Sequence, residues 1–187
     1  NMSLGGTTNS AAFKEAVDFA HANNVVVVAS AGNSDSDEEN FPAAFPNVIA
    51  VGATDQKDNR AFFSSFGSWV DVDAPGVDIL STAPSYSYTI GRSRGLPLNY
   101  IPLQGTSMAS PYVAGLAALL FSKYPNFTAD QVRAAIEDGA DRLHTIKMGR
   151  GRINARNSLM LSKQSPASFF PRIVSPTTAT THVETLI

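Results

Sequence analysis

A serine and an asparagine occupy positions at which hydrolytic chemistry could take place. Ser107 lies in the string GTSMASPYVAGLAALL (105–120), among small residues and directly before an apolar stretch typical of a helix. Two interpretations of this serine are open. It could be an N-cap, because a serine hydroxyl accepts a free backbone N–H from the first turn of a helix. It could instead be a nucleophile, since a first-turn N–H and the helix dipole favour negative charge beside it.

Asn33 is the second candidate, and it ends the string VVVVASAGN (25–33). It comes just past an apolar run, where α/β domains place their ligand-binding crevice. Its side-chain amide offers N–H donors, and Gly32 allows the chain to turn sharply before it. A serine hydrolase needs fixed donors for the oxyanion, so Asn33 and the backbone N–H of Ser107 are a candidate pair. Each signal alone is weak, because Gly-Asn turns and Gly-Thr-Ser triplets are common.

The elements that would position these residues alternate between helix and strand patterns. Helices are predicted within 9–24, from 107 to 123 and from 128 to 139, and strands at 25–29, 47–53 and 69–76. The first two strands are uninterrupted apolar runs, typical of parallel strands covered on both faces. Thr128 and Gln131 have the spacing of a capping box, and Gly139 is expected to end that helix. The order of elements predicts an α/β domain with a parallel sheet.

Composition limits the classes of function. The 187 residues are 43% hydrophobic, which suits one domain with a sizeable core. A net charge of −2 provides no basic surface, so we expect no nucleic-acid partner. The lack of cysteine excludes disulfides, thiolate catalysis and cysteine-ligated zinc, and no apolar run is long enough to span a membrane. We expect a domain over 1–161 and a Ser/Thr/Pro-rich, disordered tail over 162–187.

Read as whole strings, the chain resembles the subtilisin-like serine proteases (subtilases). GTSMASPYVAGLAALL is similar to their serine motif and VVVVASAGN to their oxyanion-hole motif. Further matches follow in order, namely FPAAFPNVIAVGATD, FSSFGSWVDVDAPGVDILST and GRGRINARNSL. The resemblance runs from Asn1 to about Leu161 and is nearest to the thermitase-like branch. It implies an α/β parallel-sheet, subtilisin-like fold, of which this chain is the C-terminal portion only.

The resemblance also assigns roles. It implies serine endopeptidase activity on polypeptides through an acyl-enzyme, with Ser107 as nucleophile, Asn33 as side-chain donor of the oxyanion hole and no cofactor required for the chemistry. The other assigned residues bind substrate: Ser3, Leu4 and Gly5 in the string SLGG, and Ser30, Ala31 and Gly32 on one wall of the pocket for the residue before the scissile bond. Main-chain pairing along SLGG would favour broad specificity.

The triad partners of this family, an Asp and then a His, should precede SLGG in D-T/S-G and H-G-T-H segments, which the sequence lacks. We interpret His21, His144 and His182 as structural or exposed. A serine without a base is nearly inert. We therefore expect a fragment whose missing N-terminal part belongs to the same longer chain, and which alone is inactive and folds poorly. The alternative is a non-catalytic remnant that binds extended peptides or a partner chain.

The acidic run SDSDEEN (34–40) follows Asn33. We interpret it as a solvated loop; the alternatives are a preference for basic substrate residues and a calcium site. The resemblance separately allows structural calcium, at Asp71 with the carbonyls around Ala43 and Phe45. It also favours secretion. The stretch 84–104 is longer than usual in the family and is expected to be a surface loop near the cleft.

Overall fold

The computed structural model of the chain describes residues 1–143 and 147–161. Its helices are α1 (Ala11–Ala22), α2 (Thr89–Arg94), α3 (Thr106–Lys123), α4 (Ala129–Gly139) and α5 (Ala155–Leu161). Its strands are β1 (Val27–Ser30), β2 (Val48–Thr54), β3 (Val72–Pro75), β4 (Ile79–Thr82) and β5 (Tyr100–Leu103). The predicted helices are confirmed as α1, α3 and α4, and the predicted strands as β1, β2 and β3. The expected tail at 162–187 lies outside the described residues.

Strands β1, β2 and β3 form one parallel sheet in chain order, as the apolar runs predicted. Ala29 pairs with Ala50, and Val51 pairs with Val72. Strands β4 and β5 form a separate antiparallel pair. Because β1 and β2 are joined in parallel, their carboxyl ends meet at one edge of the sheet, where open α/β sheets bind ligands.

Side chains alternate between two cores on the faces of this sheet. All seven residues of β2 are buried. Ile49 and Val51 join the core beneath α3, whereas Val48 and Ala50 join the core that contains Val17 of α1. Burial on both faces explains why β1 and β2 read as continuous apolar runs rather than as alternating ones.

Helix α3 lies in the larger core, and its first residue is at the edge of the sheet. It packs against β1, β2 and β3, and its buried residues include Val113, Leu116 and Leu120. Before it, the N–H of Gly105 donates to the carbonyl of Gly76, just after β3, at 2.8 Å. The first turn of α3 is therefore held against the carboxyl ends of the strands.

Helix α4 begins with the predicted capping box. The hydroxyl of Thr128 accepts from the N–H of Gln131, whose side chain accepts from the N–H of Thr128. Gly139 is the last helical residue, as predicted, but the residue after it is extended rather than left-handed. A Cβ at Gly139 would lie 2.6 Å from the backbone nitrogen of Ser158, so this glycine allows α5 to pack closely.

The outer edge of β1 is partly covered by the start of the chain. The N–H of Met2 donates to Val28 at 2.8 Å, and the N–H of Ser30 donates to Met2 at 3.2 Å. The edge of β1 is therefore bridged by the backbone at Met2. Poor folding of the isolated chain stays a prediction. No helix among the described residues has the length and the apolarity to cross a membrane.

The long stretch 84–104 contains α2 and β5. Arg92 and Arg94 are exposed, while Ile101 is buried and anchors the stretch. Much of the stretch is at the surface, but it is not a loop throughout, because it contains a helix and a strand. Its extra length and its nearness to the cleft stay predictions.

A buried carboxyl group lies where the C-terminal segment joins β3. Asp73 is 1% exposed, and its carboxylate accepts from the N–H of Gly149 at 3.0 Å. Its backbone bonds to Gly151 and Ile153, both at 2.9 Å. Burial raises the pKa of Asp73 to about 7, against a smaller lowering by the Gly149 hydrogen bond and by Arg60. The neutral acid is therefore the form that this site favours.

This pKa makes stability depend on pH in a defined direction. In the folded protein Asp73 keeps its proton up to about pH 7, whereas in the unfolded chain it loses it near pH 4. Its stabilising contribution is therefore complete below pH 4 and is lost as the pH rises to 7. We compare the free energies of unfolding of the full-length wild type and of its Asp73→Asn variant. We expect the difference, wild type minus variant, to fall by a few kcal/mol between pH 4 and pH 7. Urea unfolding at several pH values would measure it, and a constant difference would contradict the expectation.

Candidate active site

A cavity of about 300 Å³ lies at the carboxyl end of β1, beside the first turn of α3. Most of its lining residues carry polar side chains, and the full set is Leu4, Gly5, Gly6, Thr7, Ser30, Gly32, Asn33, Ser34, Ser36, Glu38, Glu39, Asn40, Ser65 and Ser107. Ser107 and Asn33, the two chemical candidates from the sequence, thus line the same space although 74 residues separate them.

The side chain of Asn33 is fixed by Thr106. Its Oδ1 atom accepts from the backbone N–H of Thr106 at 2.9 Å and from the Thr106 hydroxyl at 3.0 Å. The same hydroxyl accepts from the N–H of Gly32 at 3.1 Å. Because Oδ1 is occupied, Nδ2 is free to donate, and within the described part of the chain it has no hydrogen-bond acceptor.

Ser107 is the second residue of α3 and is half-buried. The N-cap of this helix is Gly105, with φ at +148°, so the interpretation of Ser107 as an N-cap is wrong. A side chain at Gly105 would be strained at this φ and would face the amide of Asn33. The backbone N–H of Ser107 precedes the first intrahelical bond and has no acceptor among the described residues. Two free donors, one from Asn33 and one from Ser107, therefore border the cavity.

The carbonyl of Ser107 has an unusual partner. An α-helical carbonyl normally accepts from the N–H four residues later, which here is Pro111 and has none. The hydroxyl of Ser3 donates to this carbonyl instead, at 2.8 Å, and lies 3.3 Å from the hydroxyl of Ser110. Ser110 in turn donates to Asn1. The first turn of α3 is thus tied to the first residues of the chain.

Six of the residues that the resemblance assigned are brought together around the cavity: Leu4, Gly5, Ser30, Gly32, Asn33 and Ser107. Ser3 and Ala31 are not among its lining residues. Ser3 turns to the carbonyl of Ser107, and Ala31 is 0% exposed, with its side chain in the core. Ser30 and Gly32 face the cavity, whereas Ala31 between them points to the opposite side, into the core.

Asn40 lines the cavity but was not assigned from the sequence, where it was only the last residue of the acidic run. Its Nδ2 atom donates to the carbonyl of Ala31 at 3.2 Å. A Cβ built on Gly5 or on Gly32 would come within 2.8 Å of its amide. Both glycines therefore leave room for this side chain, and Gly32, with φ at +108°, would also be strained with any other residue. No motif in the sequence indicated this contact.

No histidine of the described chain lies at Ser107. His21 is on α1, with Nε2 2.9 Å from Oδ1 of Asp130, which agrees with a structural role. Its side chain is 27% exposed, so it lies in the seam between α1 and α4 rather than fully on the solvent side. His144 and His182 lie outside the described residues.

Asp71, the residue matched to a calcium region, has other partners. Its Oδ1 atom is 2.7 Å from Arg133, and its Oδ2 atom accepts from the N–H of Ala50 at 2.8 Å. Arg133 also donates to the carbonyl of Pro46 at 2.6 Å and is paired with Glu137. A guanidinium group thus provides the positive charge that Asp71 needs. Among the described residues, no group of three or more His, Asp or Glu side chains is placed to hold a metal ion.

Comparisons with known proteins show what the chain is similar to. Residues 1–164 match the profile of the Subtilase family. Subtilisin DY of Bacillus licheniformis is 49% identical over 159 residues, which cover 82% of this chain and 54% of that protein. Thermitase of Thermoactinomyces vulgaris is 43% identical over 157 residues, covering 83% and 51%. A protease structure from Pseudoalteromonas arctica PAMC 21717 has a TM-score of 0.77 at 32% identity, covering 85% of this chain and 49% of that one. The chain spans about half the length of these relatives.

The Thr106 hydroxyl can be tested without any assay of activity. We expect Thr106→Val to lower the free energy of unfolding of the full-length protein by about 1–3 kcal/mol, because the N–H of Gly32 loses its acceptor and Asn33 loses a donor. Thr106→Ser keeps the hydroxyl and serves as the matched control, with a smaller loss. Denaturant unfolding of the three proteins measures both effects. Equal losses in the two variants would show that the hydroxyl does not matter.

Proposed function

We propose that this chain, which belongs to the subtilase family, carries the nucleophile and the oxyanion hole of a serine endopeptidase that cleaves polypeptides. The observation that carries the proposal is the fixed amide of Asn33 beside the first turn of α3. A donor aimed before the reaction begins stabilises developing negative charge without reorganisation. Its partner is the free N–H of Ser107.

The proposed reaction proceeds through an acyl-enzyme. The hydroxyl oxygen of Ser107 attacks the scissile carbonyl carbon, and its proton passes to a base. The carbonyl oxygen becomes an oxyanion that accepts hydrogen bonds from Nδ2 of Asn33 and from the N–H of Ser107. Collapse breaks the C–N bond, and the amine leaves with the proton. Water then hydrolyses the ester. We propose that the base and its orienting carboxylate come from a part of the parent protein other than these 187 residues.

The backbone of residues 3–5 is suited to hold an extended substrate. Met2 is hydrogen-bonded to β1, and Gly6 exchanges two hydrogen bonds with Phe41, at 2.7 and 3.0 Å. Between these anchors, the N–H groups of Leu4 and Gly5 have no acceptor among the described residues. A peptide could add to this segment as a further strand, with its scissile bond at Ser107.

The remaining elements of the proposal follow from the family. Subtilases generally need no cofactor for catalysis, and calcium in them is often structural. We place no calcium at Asp71, because Arg133 neutralises it. Homologous subtilisins are secreted, and we propose the same route for the parent of this chain.

A second candidate function, a remnant that binds extended peptides without cleaving them, is favoured by the same free backbone of Leu4 and Gly5. The two functions differ at Ser107. A binding module does not need its hydroxyl, whereas a peptidase loses its activity without it.

The test is hydrolysis of a denatured protein substrate by the full-length protein from its source. We expect cleavage that Ser107→Ala abolishes and that Asn33→Ala lowers in kcat with little change in KM. In subtilisin, the reference case for such a donor, its loss costs roughly 10²–10³ in kcat, and that value sets the scale. Peptide binding without any cleavage, equal in the wild type and in Ser107→Ala, would favour the remnant instead.

A further inference from the structure

We infer that the cavity beside Ser107 receives a cationic side chain, lysine or arginine, of the bound polypeptide. The inference rests on the proposed function, since it names the class of residue that the site selects. Glu38 and Glu39 of the acidic run are exposed and line the cavity, so the inference takes up the alternative of a preference for basic substrate residues.

The charge of the cavity is negative and uncompensated. Glu38 and Glu39 line it, and no lysine or arginine does. In the described part of the chain neither glutamate forms an ion pair. The neighbouring Asp35 differs, because Arg60 lies 2.7 Å from its carboxylate and neutralises it. A positively charged group of a ligand would therefore be the ion-pair partner that Glu38 and Glu39 lack in the described part of the chain.

An unpaired hydroxyl on the cavity wall provides a second and independent indication of a polar ligand. Ser30 is 3% exposed and lines the cavity. Its Oγ atom has no hydrogen-bond partner within the described residues. The atom is not fully enclosed, so it stays open to a ligand or to water at the cavity wall. The amide of Asn40 lies on the same wall, with Nδ2 committed to Ala31 and Oδ1 free to accept. Two neutral acceptors and two carboxylates thus face one space, and an ammonium or guanidinium group is a donor only.

The apolar surfaces fit the stem of such a side chain. Leu4 is 55% exposed, and the backbones of Gly5 and Gly32 line the same cavity. Long cationic side chains pack their methylene groups on such surfaces while the charged end reaches polar partners. A volume of about 300 Å³ is at the lower limit of small-molecule pockets, which suits one side chain better than a larger ligand.

The test measures binding separately from turnover. In the Ser107→Ala variant of the full-length protein, fluorescence anisotropy would compare labelled peptides that differ only in lysine or norleucine at the residue before the cleaved bond. Norleucine keeps the stem and removes the charge. We expect the lysine peptide to bind about five- to tenfold tighter, which is the scale of two partly exposed ion pairs. The ratio should fall towards one in 1 M salt.

Variants of the same protein assign the effect to residues. We expect the double substitution Glu38→Gln and Glu39→Gln to bring the lysine-to-norleucine ratio close to one. We expect Ser30→Ala to lower it by about two- to threefold, the loss of one hydrogen bond to a charged donor in a partly wet site. Glu15→Gln removes one negative charge on the exposed face of α1, outside the cavity, and should leave the ratio unchanged.

The outcomes separate the inference from the proposed function. Equal binding of the two peptides, with cleavage by the wild type intact, would overturn the inference and leave the peptidase in place. A lysine preference in binding without cleavage of any peptide would contradict the peptidase and retain the pocket for a cationic side chain. A preference that persists in the double glutamine variant would overturn the assignment to Glu38 and Glu39.

Discussion

The tie between the end of β1 and the start of α3 is the constraint on which the site depends. Asn33 and Thr106 share two hydrogen bonds across this junction, and Gly32 adds a third through the Thr106 hydroxyl. Each of these bonds either orients the Asn33 amide or fixes the turn before it. The sheet brings the end of β1 and the start of α3 to one edge. The hydrogen bonds of Thr106 then orient the Asn33 amide relative to the N–H of Ser107.

Much of the fold could be predicted because its signals are local. The strands buried on both faces appear as apolar runs, and Thr128 with Gln131 marks the start of α4 by spacing alone. Ser107 and Asn33 were found because their strings are continuous and resemble a known family. Their mutual orientation was not predictable, since it depends on Thr106, whose hydroxyl could equally have served its own helix.

The features that the sequence missed all join distant segments. Asn40 fills space that Gly5 and Gly32 leave, and Arg133 reaches Asp71 from another helix. No periodicity or spacing reveals which of several arginines will meet a given carboxylate. The sequence of the acidic run likewise does not show that Glu38 and Glu39 line the same cavity as Ser107.

The missing N–H of Pro111 has a mechanical consequence. An unbroken helix holds its first turn from within, but here the carbonyl of Ser107 is held by Ser3, which adjoins the free backbone of Leu4 and Gly5. A peptide that pairs with Leu4 and Gly5 would therefore contact the same short segment as Ser3, whose hydroxyl holds the carbonyl of Ser107. Under the proposed function, binding of a peptide to Leu4 and Gly5 would therefore be coupled to the position of Ser107 through the hydroxyl of Ser3.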